Sequence, residues 1–74
     1  MTVPLAAVRR GETFAIETVP DAEVRAKLLR VGLLDGTVAC RRRVRKGPVV
    51  IERGGTELAL GSSLAAEIEV SRVD

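Results

Sequence analysis

The sequence predicts a mainly β fold: a small, five-stranded, partly open barrel with one short α-helix inserted after the first strand. Three observations lead there. Apolar residues alternate with polar ones over several short stretches, which is the period of half-buried strands. Glycine-containing turns separate those stretches at close spacing, as in small barrels. Only Asp21–Val31 carries a clear helical period. A curled sheet suits a chain of 74 residues because it limits unpaired strand edges. A chain this short buries only about 60% of the surface it exposes when unfolded, so residues 1–74 are read as one domain.

Pro4, then Leu5 and Val8 three residues apart, then Gly11 predict a single turn or short helix over Val3–Arg10 that lays two apolar side chains on the core. Thr13–Thr18 follows as a strand with Phe14 and Ile16 inward. Val19-Pro20 ends it, because proline lacks the ladder donor. Asp21 is a suitable N-cap and Gly32 a suitable C-terminal stop for the helix. Val24, Leu28 and Val31 form its core stripe, and Glu23 and Lys27 form an i, i+4 pair. Leu29 does not fit the stripe. At 100° per residue it points about 140° away from Val24, alongside Ala22 and Ala26.

Leu33–Thr37 reads as a turn in which Gly36 supplies a positive φ. Val38, Cys40, Arg42 and Val44 then alternate with Ala39, Arg41, Arg43 and Arg45, giving a strand with one mostly apolar face and one arginine face. Cys40 on the apolar side reads as a small buried hydrophobe. Lys46-Gly47 turns the chain into Pro48–Arg53, and Gly54-Gly55 is a two-residue hairpin signal leading into Thr56–Leu60. After Gly61, Ser62–Ala66 reads as a single capped turn. Glu67–Val70 closes the fold as a strand with Ile68 and Val70 inward.

Absences narrow the function. The chain has no His, one Cys, no Trp or Tyr and a single Phe. No tetrahedral zinc or iron–sulfur site can be assembled from that set, and the Ser or Cys nucleophile with a His base is excluded. Carboxylate-only acid–base chemistry needs a concave pocket for which so small a core has little room. The chain is therefore expected not to be an enzyme, and to carry no metal or cofactor site. Base stacking, proline-rich peptide grooves and methyl-lysine cages all need aromatic surfaces that cannot be built here. The longest apolar run, Val3–Val8, is far short of the roughly 20 residues that cross a bilayer. The N-terminus lacks the features of a secretory signal, and a lone cysteine agrees with a reducing compartment, so a cytoplasmic location is expected.

Arg41-Arg42-Arg43-Val44-Arg45-Lys46 holds five of the twelve basic residues. It is a phosphate-binding patch, a solvated strand neutralised across the sheet, or a patch that meets an anionic protein surface. With two-residue turns at Lys46-Gly47 and Gly54-Gly55, Arg41 would face Glu52 and Glu52 would face Glu57. Arg41 would then offset the repulsion between the two carboxylates. A net charge of only +2 weighs against nucleic acid.

Pro4-Leu5, Val8, Arg10-Gly11-Glu12, Leu28, Val31-Gly32-Leu33, Gly36-Thr37-Val38, Gly47-Pro48, Glu57–Leu60, Ala65 and Ile68-Glu69-Val70 together resemble the pattern of the FeoA family, the small ferrous iron transport protein A. The resemblance spans nearly the whole chain in order. Asp35 stands where the family usually has proline, and Gly61 and Leu64 where a basic and an acidic residue are common. The resemblance implies an SH3-like barrel acting as an accessory to FeoB, a membrane permease with a cytosolic G domain. The same domain type occurs at the C-terminus of iron-dependent repressors, where it makes regulatory protein contacts.

The expected function is thus a protein-interaction module regulating ferrous iron uptake through the cytosolic part of a FeoB-type permease. The expected contact surface is Arg25, Leu29, Arg30, Leu33 and Leu34, because Leu29 faces away from the core stripe and is bordered by basic side chains. Leu29 would otherwise be covered by the Val3–Arg10 segment or by a second copy of the chain. Two further expectations stand beside this one: a small basic nucleic-acid-binding barrel, and a homo-oligomerising structural module that uses an open strand edge.

Overall fold

The alternating segments fold into one antiparallel sheet in a computed structural model that describes residues 1–73. In chain order the elements are β1 (Val3–Pro4), a 3-10 turn (Leu5–Ala7), β2 (Thr13–Thr18), α1 (Ala22–Arg30), β3 (Thr37–Arg43), β4 (Val49–Arg53), β5 (Thr56–Leu60), α2 (Ser62–Glu67) and β6 (Glu69–Arg72). The strands lie in the order β1-β6-β2-β3-β4-β5. A flat sheet of that many strands would be nearly 30 Å wide and about 10 Å thick with side chains. The observed extents of 26 × 25 × 24 Å are almost equal, so the sheet curls around its core. The gap between its two edges is bordered by α2, which packs on the 3-10 turn and β1.

The core follows the predicted alternation. Phe14, Val38, Cys40, Ile51 and Val70 point inward from the strands and are buried, with Leu5 and Val8 of the opening segment, Leu28 of α1 and Ala65 of α2. Each large side chain so placed contributes about 1.5–3 kcal/mol. The ion pairs Arg41–Glu57 (3.7 Å) and Arg72–Glu12 (3.1 Å) are exposed enough to contribute at most about 1 kcal/mol each. Apolar burial holds this fold together.

Several elements depart from expectation. A sixth strand, β1, exists because Val3 and Pro4 pair with Val70 and Glu69 at the sheet edge, where a proline is tolerated. Ile16 is only half-buried, and a bulge between Ile16 and Thr18 lets Glu17 accept from the Ser71 hydroxyl at 2.9 Å. The β3–β4 turn is wider than Lys46-Gly47 alone: Val44 N–H donates to the Pro48 carbonyl at 3.1 Å, and Lys46 holds φ +59°. A second bulge falls between Cys40 and Arg42. Together these shift the register, so that Ala39, not Arg41, lies opposite Glu52. The bulge also sends Arg42 to the outer face. Arg43 is opposite buried Val49, and its guanidinium reaches the Val8 carbonyl at 2.7 Å. The expected pairing of Glu52 with Glu57 is present, set by a tight Gly54-Gly55 turn with both φ values positive. α2 has Gly61 as its N-cap and no side-chain cap, so the expected serine cap is not formed.

Candidate partner-binding surface

α1 is fixed at both ends by its own sequence. Asp21 Oδ1 accepts from the Glu23 and Val24 N–H groups at 2.9 and 3.1 Å, satisfying two donors that the first turn leaves unpaired. Lys27 and Arg30 occupy the last turn, where they complement the helix dipole. At the C-terminus Gly32 takes φ +80°. Its N–H donates to the Leu29 carbonyl at 3.2 Å, while Leu33 N–H donates to the Leu28 carbonyl at 2.9 Å. That pair of bonds is a Schellman motif, which characteristically brings the residue after the glycine back against the helix.

The motif explains a correction to the core stripe. Val31, expected inward, is 37% exposed, while Leu33, expected on the contact surface, is fully buried. Val31 is the helix C-cap, and the left-handed Gly32 directly after it folds the chain back so that Leu33 meets the end of the helix. Leu33 thus joins Leu28 in the interior. Of the predicted surface residues, Arg25, Leu29 and Arg30 are exposed, and Leu34 is half-buried, packed against the edge of the core. Leu29 is 54% exposed, so the Val3–Arg10 segment does not cover it. Arg25 lies one turn before Leu29 on the same face. Val31 is the surface residue that periodicity alone misses; the Gly32-Leu33 pair, an apolar residue directly after a C-terminal glycine, is the signal that finds it.

The rest of the molecule offers little reactive chemistry. Burial pushes the Cys40 thiol above its ordinary range, against the opposing pull of the Arg43 guanidinium. Its Sγ lies 3.7 Å from the Arg42 carbonyl. A thiol held neutral in this way is a weak nucleophile at neutral pH. Among the described residues no group of three or more His, Cys, Asp or Glu side chains is placed to hold a metal ion. Among them also, no helix is long and apolar enough to cross a membrane.

A family model described as the FeoA domain matches residues 3–72. The chain belongs to the FeoA family. This FeoA domain superposes on a crystal structure of an iron uptake regulatory protein (FeoA) with TM-score 0.75 and 31% identity, over 99% of both chains. A FeoA-like protein from Clostridium acetobutylicum matches with TM-score 0.73 and 22% identity, over 99% of this chain and 88% of that one. A manganese-dependent transcriptional repressor matches with TM-score 0.76 and 24% identity, over 97% of this chain and 42% of the repressor. At those identities the last two show the shared SH3-like fold alone. No curated protein sequence matches the chain. Family membership makes this a small domain of the accessory and regulatory kind associated with iron transport.

Proposed function

We propose that this FeoA domain is an accessory, regulatory protein-interaction module of ferrous iron uptake that contacts the cytosolic part of a FeoB-type permease. In this reading it works in the cytoplasm as a single domain, without catalysis or a cofactor of its own. The observation that carries the proposal is Leu29: a large apolar side chain, 54% exposed, on a helix capped at one end and anchored by Leu28 and Leu33 at the other. A rigid helix that leaves a leucine in water, with Arg25 one turn earlier and Arg30 next in the chain, offers an apolar anchor with a basic rim. Leu34 is half-buried at the edge of the core, and Leu33 lies within it. Family membership, and the description of the 31%-identical relative as an iron uptake regulatory protein, support the assignment to iron uptake.

The test is a titration of the purified cytosolic domain of a FeoB-type permease with the chain and with Leu29→Glu. Wild type binds, and the variant binds at least about tenfold more weakly, since a carboxylate replaces an apolar anchor at the contact. Absence of binding by the wild-type chain would defeat the proposal. A second reading rests on β5, which pairs only with β4 and leaves its other edge without a strand partner among the described residues. Such an edge favours self-association. A stable dimer in sedimentation, with no binding to the permease domain, would select it.

A further inference from the structure

The basic run on β3 is not used by the α1 surface, and its surroundings have a definite shape. Arg41 and Arg42 line a depression of about 220 Å³ with Val50 and Glu57. Arg41 also lines a second depression of about 450 Å³, with Arg10, Gly11, Ala39, Cys40 and Glu52. The two adjoin at Arg41 and together make an arginine-lined trough. The pairing of Gly11 N–H with the Cys40 carbonyl at 2.8 Å brings Arg10 beside β3. The bulge between Cys40 and Arg42 lets two consecutive arginines serve the same trough, where an unbroken strand would send them to opposite faces.

The charges here are poorly neutralised. Arg41 has one carboxylate partner, Glu57 at 3.7 Å, with both side chains more than half exposed. Among the described residues Arg10, Arg42, Arg45 and Lys46 form no ion pair. Glu52 is occupied in part by its own turn, accepting from Gly55 N–H at 2.9 Å. From these observations we infer that the trough over β3 and β4 is a docking site for an acidic peptide segment of a partner protein, held by Arg10, Arg41 and Arg42.

A peptide fits better than a nucleic acid for two reasons. Glu52 and Glu57 line the trough and repel a continuous phosphate backbone, whereas carboxylates spaced along a peptide can lie against the guanidinium groups and avoid them. The only aromatic side chain, Phe14, is buried, so no ring is available to stack on bases. An incoming carboxylate can also replace Glu57 at Arg41, because a long, exposed pair is easily exchanged.

The test uses a fluorescein-labelled peptide of about twelve residues, alternating Asp and Ala, whose binding is followed by anisotropy at low and moderate salt. Arg41→Glu/Arg42→Glu should bind at least about tenfold more weakly than wild type. Lys27→Glu/Arg53→Glu changes the net charge equally but lies on α1 and at the end of β4, and should lose less than about twofold. Circular dichroism establishes that both variants are folded. Equal losses from the two variants would reduce the effect to bulk charge and overturn the inference. So would binding no tighter than that of an Asn–Ala peptide, or tighter binding of duplex DNA than of the acidic peptide at matched ionic strength.

Discussion

Neighbouring leucines on α1 should respond to mutation in opposite ways. Leu28 is fully buried in the core and Leu29 is 54% exposed. Leu28→Ala removes a buried side chain and leaves a cavity, at a cost of about 2–5 kcal/mol. A chain of 74 residues has a total stability of about 4–11 kcal/mol at typical per-residue values. The substitution therefore removes a large part of it. With a urea dependence of about 1 kcal/mol/M for so small a protein, the midpoint falls by about 2 M or more. Leu29→Glu differs. Leucine and glutamate have similar helix propensities. The cost of a carboxylate near the helix C-terminus is a few tenths of a kcal/mol, and Arg25 one turn earlier offsets part of it. Its net effect should stay within about 0.5 kcal/mol. Urea unfolding followed by far-ultraviolet circular dichroism measures both. A midpoint for Leu29→Glu that drops as far as that of Leu28→Ala would show that Leu29 belongs to the core, and would remove the basis for the α1 contact surface.

Other consequences are as direct. Because burial raises the Cys40 thiol, the unfolded chain loses its proton first as the pH climbs past the ordinary value of 9.0. The native state then holds more protons than the unfolded one, so stability falls with rising pH above about 9 and is unaffected by this group below it. Unfolding midpoints of wild type and Cys40→Ala across that range measure the slope, which the variant should lose. The same burial predicts slow labelling of Cys40 by a thiol reagent under native conditions and fast labelling in urea. Gly36→Ala should cost about 1–3 kcal/mol, since φ +134° is open to little except glycine and a Cβ there would sit 3.2 Å from the Arg53 guanidinium. A thermal midpoint unchanged from wild type would show that the loop relaxes to an ordinary conformation.

The strands were legible because their alternation is the direct imprint of burying one side of a sheet. Phe14, Val38, Cys40 and Val70 all lie where period-two reading puts them; Ile68 is buried as expected, but as the C-cap of α2, since β6 starts at Glu69 and not at Glu67. What the alternation could not show were the places where the backbone interrupts it. The bulge beside Arg41 inserts a residue without any glycine or proline to announce it. Lys46 adopts a left-handed φ that side chains generally resist, so the turn is longer than its Lys-Gly dipeptide implies. β1 was hidden because two residues are too few to display a period. At the contact surface, helical geometry correctly set Leu29 outside. It misplaced Val31 and Leu33, because the local hydrogen bonds around Gly32 override the 3.6-residue period there. The basic run was visible as composition alone; that Arg41 and Arg42 share one trough with Arg10 depends on the bulge and on long-range pairing.

The most direct measurement of the central claim is residue-level mapping of the contact by nuclear magnetic resonance. Unlabelled cytosolic domain of a FeoB-type permease is added to the nitrogen-15-labelled chain, and backbone amide signals are followed. Signals from Arg25, Leu29 and Arg30 are expected to shift or broaden most, while those along the free edge of β5 stay in place. A spectrum that does not change, or changes confined to β5, would contradict the claim.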